Sequence, residues 1–442
     1  MKTAEAEIEK RRFFVWDSES KGVLKCILIY KILFWMVASG ILLLDEDENY
    51  NAFFHENLHK YHPFTWPLAG EISRASRLAT WDPGHYLTLA TIWATGKNEM
   101  EVPTFDGKIA IAKAYQDESP RCALYPLWPM FLTPAAWIGG AKLAFTFGLV
   151  LSNVLSVFAL WILYGHLREQ GNHATALLTI LMIISMTGAI FLSLIYTESL
   201  FLFLAVTSLR ALSLRRYKVF AITSFLLPLT KAIGFFILIA AGVHWLRITF
   251  FKHIKSDVEK DENAIRKLCN LIMNLMIMMM PALCGYACYF WFMWATTGNA
   301  LEGFDAQQYF ANRPSVSQIF HIDEFAKAFI KVEDIFHPIG GLMDRLCFIC
   351  FIFGASLYAT NLRKGFRYED FCWVLAIGII PALSNQLLSY TRFLMMCFPV
   401  FFGIATELNY MKQRWLIICI LLILLMFQAQ ALLRYLRYDW VS

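Results

Sequence analysis

The stretch VLKCILIYKILFWMVASGILLL, residues 23–44, decides the fold of this chain, because it is an unbroken apolar run of membrane-spanning length. A hydrocarbon core of about 30 Å needs roughly 20 apolar residues in a helix. Only 17% of all residues are charged, compared with about 25% in soluble domains. Acidic residues follow the run, and no small-residue cleavage site does, so it predicts a retained span and not a signal peptide.

Similar apolar runs fill most of the remaining chain. They predict ten more spans, at about 143–165, 174–193, 198–214, 217–229, 233–250, 268–294, 341–361, 371–388, 393–410 and 414–433. Backbone within lipid must satisfy its own hydrogen bonds, and a continuous α-helix does so. We therefore expect an all-α polytopic membrane protein with about eleven transmembrane helices, folded as one membrane-embedded domain over residues 1–442.

Basic residues orient these spans, since cytoplasmic loops carry an excess of Lys and Arg. A cytoplasmic N-terminus is predicted by Lys10, Arg11, Arg12, Lys21 and Lys25. The later clusters at 215–218, 252–267, 363–367 and 412–414 then fall on the same side. The net charge of +5 is small, so we interpret the clusters as orientation signals and expect no nucleic-acid partner. Two large loops, 45–123 and 295–340, and the C-terminus are then extracytoplasmic.

A proline-rich piece, 124–141, is excluded from the span count. It contains Pro126, Pro129 and Pro134, and proline removes a helix hydrogen bond and clashes with the preceding turn. If this piece were a full span, the four later basic clusters would be placed outside. We therefore expect a re-entrant or surface element on the outer side, buried in protein or lining a cavity.

Four ionisable residues fall on the predicted outer side, close to the membrane. Asp82 lies in the first loop, Glu198 starts a span, Lys231 interrupts an apolar region, and Arg392 precedes a late span. Gln307, in the second large loop, is on the same side. Ionisable groups at membrane depth are costly, so they usually pair, face a cavity or take part in function.

Each of the four also has a simpler structural interpretation. Asp82 precedes Pro83, and proline favours the first helical position, so Asp82 is a candidate helix N-cap. Glu198 is a candidate cap of the span that it starts. Lys231 and Arg392 can extend to lipid head groups.

Three further polar features also have simple interpretations. His85 lies three residues after Asp82, and it is also explained as a surface histidine. Asp45-Glu46-Asp47 matches the D-x-D pattern of metal-dependent sugar-nucleotide enzymes, but at a membrane exit it is explained as a solvated helix end. Most of the ten cysteines lie inside predicted spans, so no disulfide framework is expected.

Carboxylates and cations at a lipid interface suit group transfer from a lipid phosphate. A carboxylate accepts the proton of an attacking hydroxyl, and Arg and Lys hold the phosphate and stabilise its developing charge. Trp81, Tyr86, Tyr125 and Trp128 are candidates for stacking on sugar rings, although aromatic residues also favour the interface itself. A transporter site could use the same groups.

Read together, the motifs resemble the PIG-V family of membrane mannosyltransferases, which includes the second mannosyltransferase of GPI-anchor assembly and many prokaryotic relatives. The order and spacing of five elements agree across about residues 75–405. They are the W-D pair at 81–82, LYPLWP at 124–129, YTESLF at 196–201, TKAIG at 230–234, and RFL at 392–394 with FP at 398–399.

The resemblance implies a GT-C fold and an inverting transfer of mannose from a polyprenyl phosphate, with no nucleotide, cofactor or obligatory metal. Asp82 is then the catalytic acid or base, or an orienting carboxylate, and Lys231 and Arg392 bind the donor phosphate. The expected supporting residues are Trp81, His85, Tyr125, Tyr196, Glu198, Gln307 and Tyr390. The acceptor is left open among a lipid, a glycan and a protein.

Three departures from the family pattern concern the identity of the donor. Lys231 stands where relatives carry arginine, and lysine lacks a two-pronged grip on phosphate. Gly298-Asn299-Ala300 replaces a G-D-P element, although Asp305-Ala306-Gln307 resembles the A-Q element of relatives. Pro83-Gly84 after the W-D pair is also unusual.

Two other classes of function are left open by the sequence. The first is a flippase or transporter of lipid-linked sugars, which needs polar groups at both membrane faces. The second is a non-catalytic membrane scaffold, which would tolerate changes of Asp82 or Arg392. The short N-terminus favours a prokaryotic plasma membrane over the endoplasmic reticulum.

Overall fold

The protein is predominantly α-helical, with one short β-hairpin. The computed structural model describes residues 13–44, 74–97, 99–103, 109–115, 120–250, 264–309, 316–337, 341–411, 413–437, 439 and 441. The strands β1 (Glu99–Pro103) and β2 (Ile109–Lys113) pair antiparallel, with Glu99 opposite Lys113. The helical architecture expected from the sequence is confirmed, and the hairpin is an addition to it. Asp45-Glu46-Asp47 lies outside the described residues.

The described part of the chain contains fifteen α-helices. They are α1 (Ser18–Leu44), α2 (Asp82–Ala94), α3 (Leu127–Arg168), α4 (His173–Ser185), α5 (Glu198–Ser213), α6 (Tyr217–Leu226), α7 (Ile237–Trp245), α8 (Ala264–Thr297), α9 (Glu302–Asp305), α10 (Ile322–Ile330), α11 (Leu342–Asn361), α12 (Tyr368–Ser384), α13 (Tyr390–Met396), α14 (Phe398–Tyr410) and α15 (Arg414–Leu436).

Five of these helical segments are long and apolar enough to cross a membrane, which indicates a multi-pass membrane protein. They are Ser18–Leu44, Leu127–Arg168, Ile272–Thr297, Leu342–Lys364 and Arg414–Leu436. A sixth span results if α13 and α14, which are bent by 72° to each other, count as one. Shorter apolar helices cover His173–Ser185, Tyr217–Leu226 and Ala232–Ile248. The expected count of about eleven spans stays a prediction.

The outward faces of the long helices are apolar. On α1, Leu28, Ile32 and Met36 recur every four residues and are exposed, and on α15 the same spacing exposes Ile418, Leu422 and Met426. A four-residue spacing keeps side chains on one side of a helix. Apolar stripes that face outward from an apolar bundle fit a lipid surrounding.

The proline-rich piece is helical, and glycines, not prolines, end it. Helix α3 begins at Leu127 and contains Pro134. Its helical geometry breaks at Gly139 and Gly140, where Gly140 has φ 64° and ψ −163°. This conformation is accessible essentially to glycine alone. The expected break in the backbone is therefore present, but it lies at the C-terminal end of the piece. A re-entrant position in the membrane stays a prediction.

Helix packing brings the N-termini of several short helices together at one end of the bundle. Helix α2 packs on α3, α3 packs on α5, and the segment Thr187–Leu192 packs against α13 and α15. The backbone N–H of Leu127 donates to the carbonyl oxygen of Leu229 at 3.1 Å, which joins the start of α3 to the chain just before Lys231. This end of the bundle carries the candidate site.

Candidate functional site

Four charged side chains from distant parts of the chain form one ion-paired group. Oε1 of Glu198 accepts hydrogen bonds from Nε of Arg392 at 2.6 Å and from Nζ of Lys231 at 2.7 Å. Nη2 of Arg392 also donates to Oδ2 of Asp82 at 2.9 Å. The order Asp82, Arg392, Glu198, Lys231 alternates in sign, so the formal charges cancel. We call these four residues the charged cluster.

The charged cluster is buried at its centre and more open at its ends. Glu198 is 1% exposed and Arg392 is 13% exposed, whereas Lys231 is 18% and Asp82 is 26% exposed. Arginine has five N–H donors and lysine has three, and the cluster uses two of the former and one of the latter. The remaining donors and the second oxygen of Asp82 are the groups that the cluster can offer to a ligand.

Aromatic rings enclose the two cations. The guanidinium carbon of Arg392 lies 4.8 Å from the ring centre of Tyr196 and 5.0 Å from that of Phe191. Nζ of Lys231 lies 5.8 Å from the ring of Phe393. Rings at these distances attract cations. Removal from water lowers the pKa of the Lys231 ammonium, and the carboxylate of Glu198 acts in the opposite direction.

Neither carboxylate of the cluster caps its helix. The N-cap of α2 is Trp81 and that of α5 is Thr197, and neither makes a side-chain capping bond. Asp82 and Glu198 are the first residues of their helices, and their carboxylates bind the cations of the cluster. The capping interpretation is therefore wrong for both, because the hydrogen bonds of the two carboxylates go to side chains and not to a backbone N–H of the helix. Lys231 and Arg392 are likewise held by carboxylates within the protein.

The backbone is strained beside two members of the cluster. Trp81, directly before Asp82, has φ 63°. Leu387 and Ser389, shortly before Arg392, have φ 68° and 58°. Positive φ is uncommon outside glycine and costs about 1–3 kcal/mol per residue, and such residues gather at functional sites. The surrounding structure must therefore hold these two segments in place.

Asp344 is a positioning residue for Arg392 that sequence analysis missed. It lies in the first turn of α11 and is 4% exposed. Its Oδ1 accepts the backbone N–H of Thr391 at 2.9 Å, in the first turn of α13. The N-cap of α13, Ser389, makes no side-chain capping bond. Asp344 therefore caps α13 from another helix and fixes the backbone next to Arg392.

Lys31 holds the turn that leads to Glu198. Its ammonium, 6% exposed in the middle of α1, donates to the carbonyl oxygen of Leu192 at 3.0 Å and to Oγ of Ser193 at 2.8 Å. Asn153 of α3 donates to the carbonyl oxygen of Ser193 at 3.0 Å. A buried cation in a spanning helix is costly unless it is hydrogen-bonded. Here these bonds tie two long helices to one turn.

Of the other predicted site residues, three lie beside the charged cluster and three make their contacts elsewhere. Trp81 and His85 lie on either side of Asp82 at the start of α2, and Tyr196 contacts Arg392 as described. The buried ring of Tyr125 stacks on Tyr289 at 4.5 Å, so that face is closed to a sugar.

The remaining two make contacts with backbone elsewhere. Gln307 donates to the carbonyl oxygen of Gly303 at 3.5 Å. The fully buried Tyr390 donates to the carbonyl oxygen of Gly378 at 3.0 Å. Within the described ranges, neither these two nor Tyr125 hydrogen-bonds to the charged cluster.

A second buried polar group lies at the other end of the bundle, and sequence analysis missed it too. Nε2 of His166 hydrogen-bonds to Oδ2 of Asp370 at 2.8 Å, and both side chains are at most 1% exposed. Arg367 lies 2.8 Å from Nδ1 of His166 and pairs with Glu169 at 2.9 Å. Glu169 also pairs with Arg210 at 3.1 Å. We call these five residues the far-end cluster.

The far-end cluster is separated from the charged cluster along α5. Arg210 follows Glu198 by twelve residues, which is about 18 Å along a helix. Three of its pairs join residues about 200 positions apart in the chain, such as His166 and Asp370. A buried network of this kind fixes the relative positions of helices.

No group of three or more His, Cys, Asp or Glu side chains suited to a metal ion occurs in the ranges that the structure describes. The ten cysteines, all within those ranges, are free thiols. Independence from metals and cofactors stays a prediction.

No protein-family model and no curated protein matches the chain, so the resemblance to the PIG-V family stays a prediction. Among solved structures, the chain is similar to the oligosaccharyltransferase of Archaeoglobus fulgidus in its apo form, with 12% identity and a TM-score of 0.49, over 94% of this chain and 56% of that one.

It is also similar to AglB, the archaeal oligosaccharyltransferase of the same organism, in complex with an inhibitory peptide and a dolichol-phosphate. Here the identity is 13% and the TM-score 0.43, over 81% of this chain and 52% of that one. The chain therefore spans about half the length of these proteins. The likeness is one of helical arrangement at low identity.

Proposed function

We propose that this protein is a membrane glycosyltransferase of the GT-C type, which moves a hexose, mannose by resemblance, from a polyprenyl phosphate to an acceptor on the extracytoplasmic face. The charged cluster is the observation that supports this proposal. It holds two carboxylates and two cations at the end of an apolar bundle, a combination that suits the binding of a lipid phosphate.

Asp82 is the base, or the carboxylate that orients the acceptor. It is the most exposed member of the cluster, and Arg392 holds only one of its two oxygens in the described structure. The other oxygen is placed to accept the proton of an acceptor hydroxyl as the hydroxyl oxygen attacks the anomeric carbon. Because Arg392 fixes the carboxylate, Asp82 is preorganised for this role.

Arg392 and Lys231 are the groups that bind the donor phosphate. As the new glycosidic bond forms, the bond between the anomeric carbon and the phosphate oxygen breaks, and polyprenyl phosphate leaves with the electron pair. The remaining donors of the two cations are suited to the negative charge that develops on that oxygen. Glu198 keeps both cations in place and is itself too buried to reach an acceptor.

The far-end cluster favours a second candidate, a flippase of lipid-linked sugars. A carrier needs polar groups at both membrane faces, and the sequence predicted them at one face only. The structure adds buried ionisable residues about 18 Å away along α5. Carriers place such groups along a substrate pathway. The far-end cluster is closed and internally paired, and we therefore keep the glycosyltransferase as the first candidate.

One reconstitution separates the two candidates. Purified protein in vesicles receives radiolabelled polyprenyl-phosphate mannose, and in parallel the glucose donor, with a membrane lipid extract as acceptor. We expect label in a new glycosidic product, with the mannose donor preferred. Movement of the labelled donor across the bilayer without any new glycosidic bond would replace the glycosyltransferase by the flippase. If a product forms only with the glucose donor, the proposed donor sugar is wrong and the glycosyltransferase reaction stands.

A further inference from the structure

The segment 316–332, between α9 and α11, is amphipathic and mostly exposed. In α10, Ile322, Ala326 and Ile330 recur every four residues, so they line one side of the helix. Ile322 is 67% exposed and Ile330 is 79% exposed, and Phe320, directly before the helix, is 83% exposed. Contiguous exposed apolar side chains of this size mark an interaction surface.

The position of α10 relative to the bundle is fixed by a buried arginine. Arg345, 4% exposed in the first turn of α11, donates to the carbonyl oxygens of Phe329 at 2.8 Å and Lys331 at 2.6 Å, and also to that of Ala328. These carbonyls belong to the C-terminal end of α10. The segment Leu342–Lys364, which starts with α11, is long enough to span a membrane. Because Arg345 is in its first turn, α10 lies at the N-terminal end of this span.

The exposed side of α10 continues an apolar surface of the spanning helix. Phe325 and Phe329 pack on Phe348 of α11, with ring centres 5.4 and 6.1 Å apart. Ile352 lies one turn after Phe348 on the same side of α11 and is 48% exposed, and Ile349, next to Phe348 in the chain, is 53% exposed. Ile322 and Ile330 flank the packed pair along α10 and are exposed too, so exposed apolar side chains occur on both helices around this contact.

The polar side of α10 carries little net charge, because Asp323 and Glu324 are acidic, Lys327 is basic, and part of this charge is paired within the segment. Lys327 pairs with Asp323 at 3.4 Å, one turn apart, and Lys331 pairs with Glu333 at 3.0 Å. All four side chains are at least 41% exposed. A helix with one apolar side, one solvated charged side and little net charge lies in a membrane interface through its apolar area and not through attraction to anionic lipids.

We propose that α10, together with the turn Val316–Phe320, lies in the membrane–water interface and buries the side formed by Ile322, Ala326 and Ile330 in lipid. The partner of this surface is the bilayer itself. The inference is independent of the proposed function, because it rests on the placement and exposure of α10 alone.

Contacts also link this interfacial helix to the charged cluster. Phe348 receives α10 on one side and packs against Tyr390 on the other, with ring centres 5.5 Å apart. Tyr390 lies two residues before Arg392. The lipid contact of α10 therefore supports the helix that carries Arg392.

The test places the photo-crosslinker p-benzoylphenylalanine at single positions of the full-length protein in nanodiscs of phosphatidylcholine. Ile322 and Ile330 are the test positions. The exposed Glu324, on the opposite side of the same helix, is the matched control, and Phe353 on the outward face of α11 is the positive control. Lipid adducts are counted by mass spectrometry after irradiation.

We expect lipid adducts at Ile322 and Ile330 to be severalfold more abundant than at Glu324 and to approach the level at Phe353. Replacing part of the phosphatidylcholine by an anionic lipid should leave the yields unchanged. Equal yields at the two sides of α10 would overturn the proposal. So would adducts at Ile322 or Ile330 that join two copies of the chain in place of lipid.

Discussion

At the scale of single residues, the charged cluster shows what the sequence could and could not predict. Asp82, Glu198, Lys231 and Arg392 were chosen because each is costly near a membrane, and the structure brings all four together although Asp82 and Arg392 are 310 positions apart. The sequence also suggested a cap as a simpler role for Asp82, because Pro83 is a local signal, whereas the partner of its carboxylate is far away in the chain.

Glu198 should contribute more to stability than Asp82 does. It is 1% exposed and pairs with two cations, whereas Asp82 is 26% exposed and pairs with one. Loss of one partner from a buried ion pair costs about 3–5 kcal/mol, whereas loss from a more exposed pair costs about 1 kcal/mol or less. We therefore expect Glu198→Gln to lower the Tm in detergent much more than Asp82→Asn. Equal changes would contradict the burial order of the cluster.

At the scale of elements, local breaks and caps were the hardest features to predict. The prolines at 126, 129 and 134 suggested where the helix fails, yet α3 tolerates Pro134 and breaks at Gly139 and Gly140. Asp344 was hidden inside a predicted span, since nothing in the sequence pairs it with the backbone of Thr391. Both features depend on contacts or dihedral angles that a hydropathy pattern does not contain.

Gly140 should be sensitive to the addition of a single methyl group. Its φ of 64° and ψ of −163° strain any other residue by about 1–3 kcal/mol, and a Cβ at this position would meet nothing within 4 Å. We expect Gly140→Ala to lower the Tm for conformational reasons alone. The matched control is Gly40→Ala in α1, where a Cβ also meets nothing and the Tm should hold or rise slightly. Equal effects would contradict the assigned kink.

Asp344 should act through its hydrogen bond to the backbone of α13. Asp344→Ala leaves the buried N–H of Thr391 without its acceptor, which costs about 1–3 kcal/mol and loosens Arg392. Asp344→Asn keeps a carbonyl oxygen in the same place. We expect the transfer rate to fall in the alanine variant and to be largely retained in the asparagine variant. An asparagine variant as defective as alanine would show that charge, and not capping, is the role of Asp344.

At the scale of the whole molecule, composition was sufficient for the helical, multi-pass architecture, but it did not reveal the far-end cluster. His166 and Asp370 are each unremarkable in the sequence, and only the folded chain brings them within hydrogen-bond distance across 204 positions. Five or six helices are long enough to span a membrane, so the count of eleven depends on short and bent helices. The side on which each cluster lies follows from the basic residues alone.

The two ends of the bundle should therefore be labelled from opposite faces of the membrane. Lys327 lies in α10, at the end of the bundle that carries the charged cluster, and Lys218 lies at the start of α6, near the far end of α5. Both side chains are exposed. We expect a membrane-impermeant maleimide to label Lys327→Cys from outside intact cells and Lys218→Cys only in inside-out vesicles, above the wild-type background. Labelling of both variants from one side would contradict the predicted topology.

The transfer assay with Asp82→Asn tests the central claim most directly. Asparagine keeps the size of the side chain but does not accept a proton from a hydroxyl, and a general base contributes about 10²–10⁴-fold to a rate. The matched control is Asp323→Asn, an exposed carboxylate that pairs with Lys327 and not with the charged cluster. With polyprenyl-phosphate mannose and a lipid extract, we predict that Asp82→Asn loses the glycosidic product by that factor at an almost unchanged Tm, while Asp323→Asn matches the wild type. Near-normal turnover in Asp82→Asn would contradict the account.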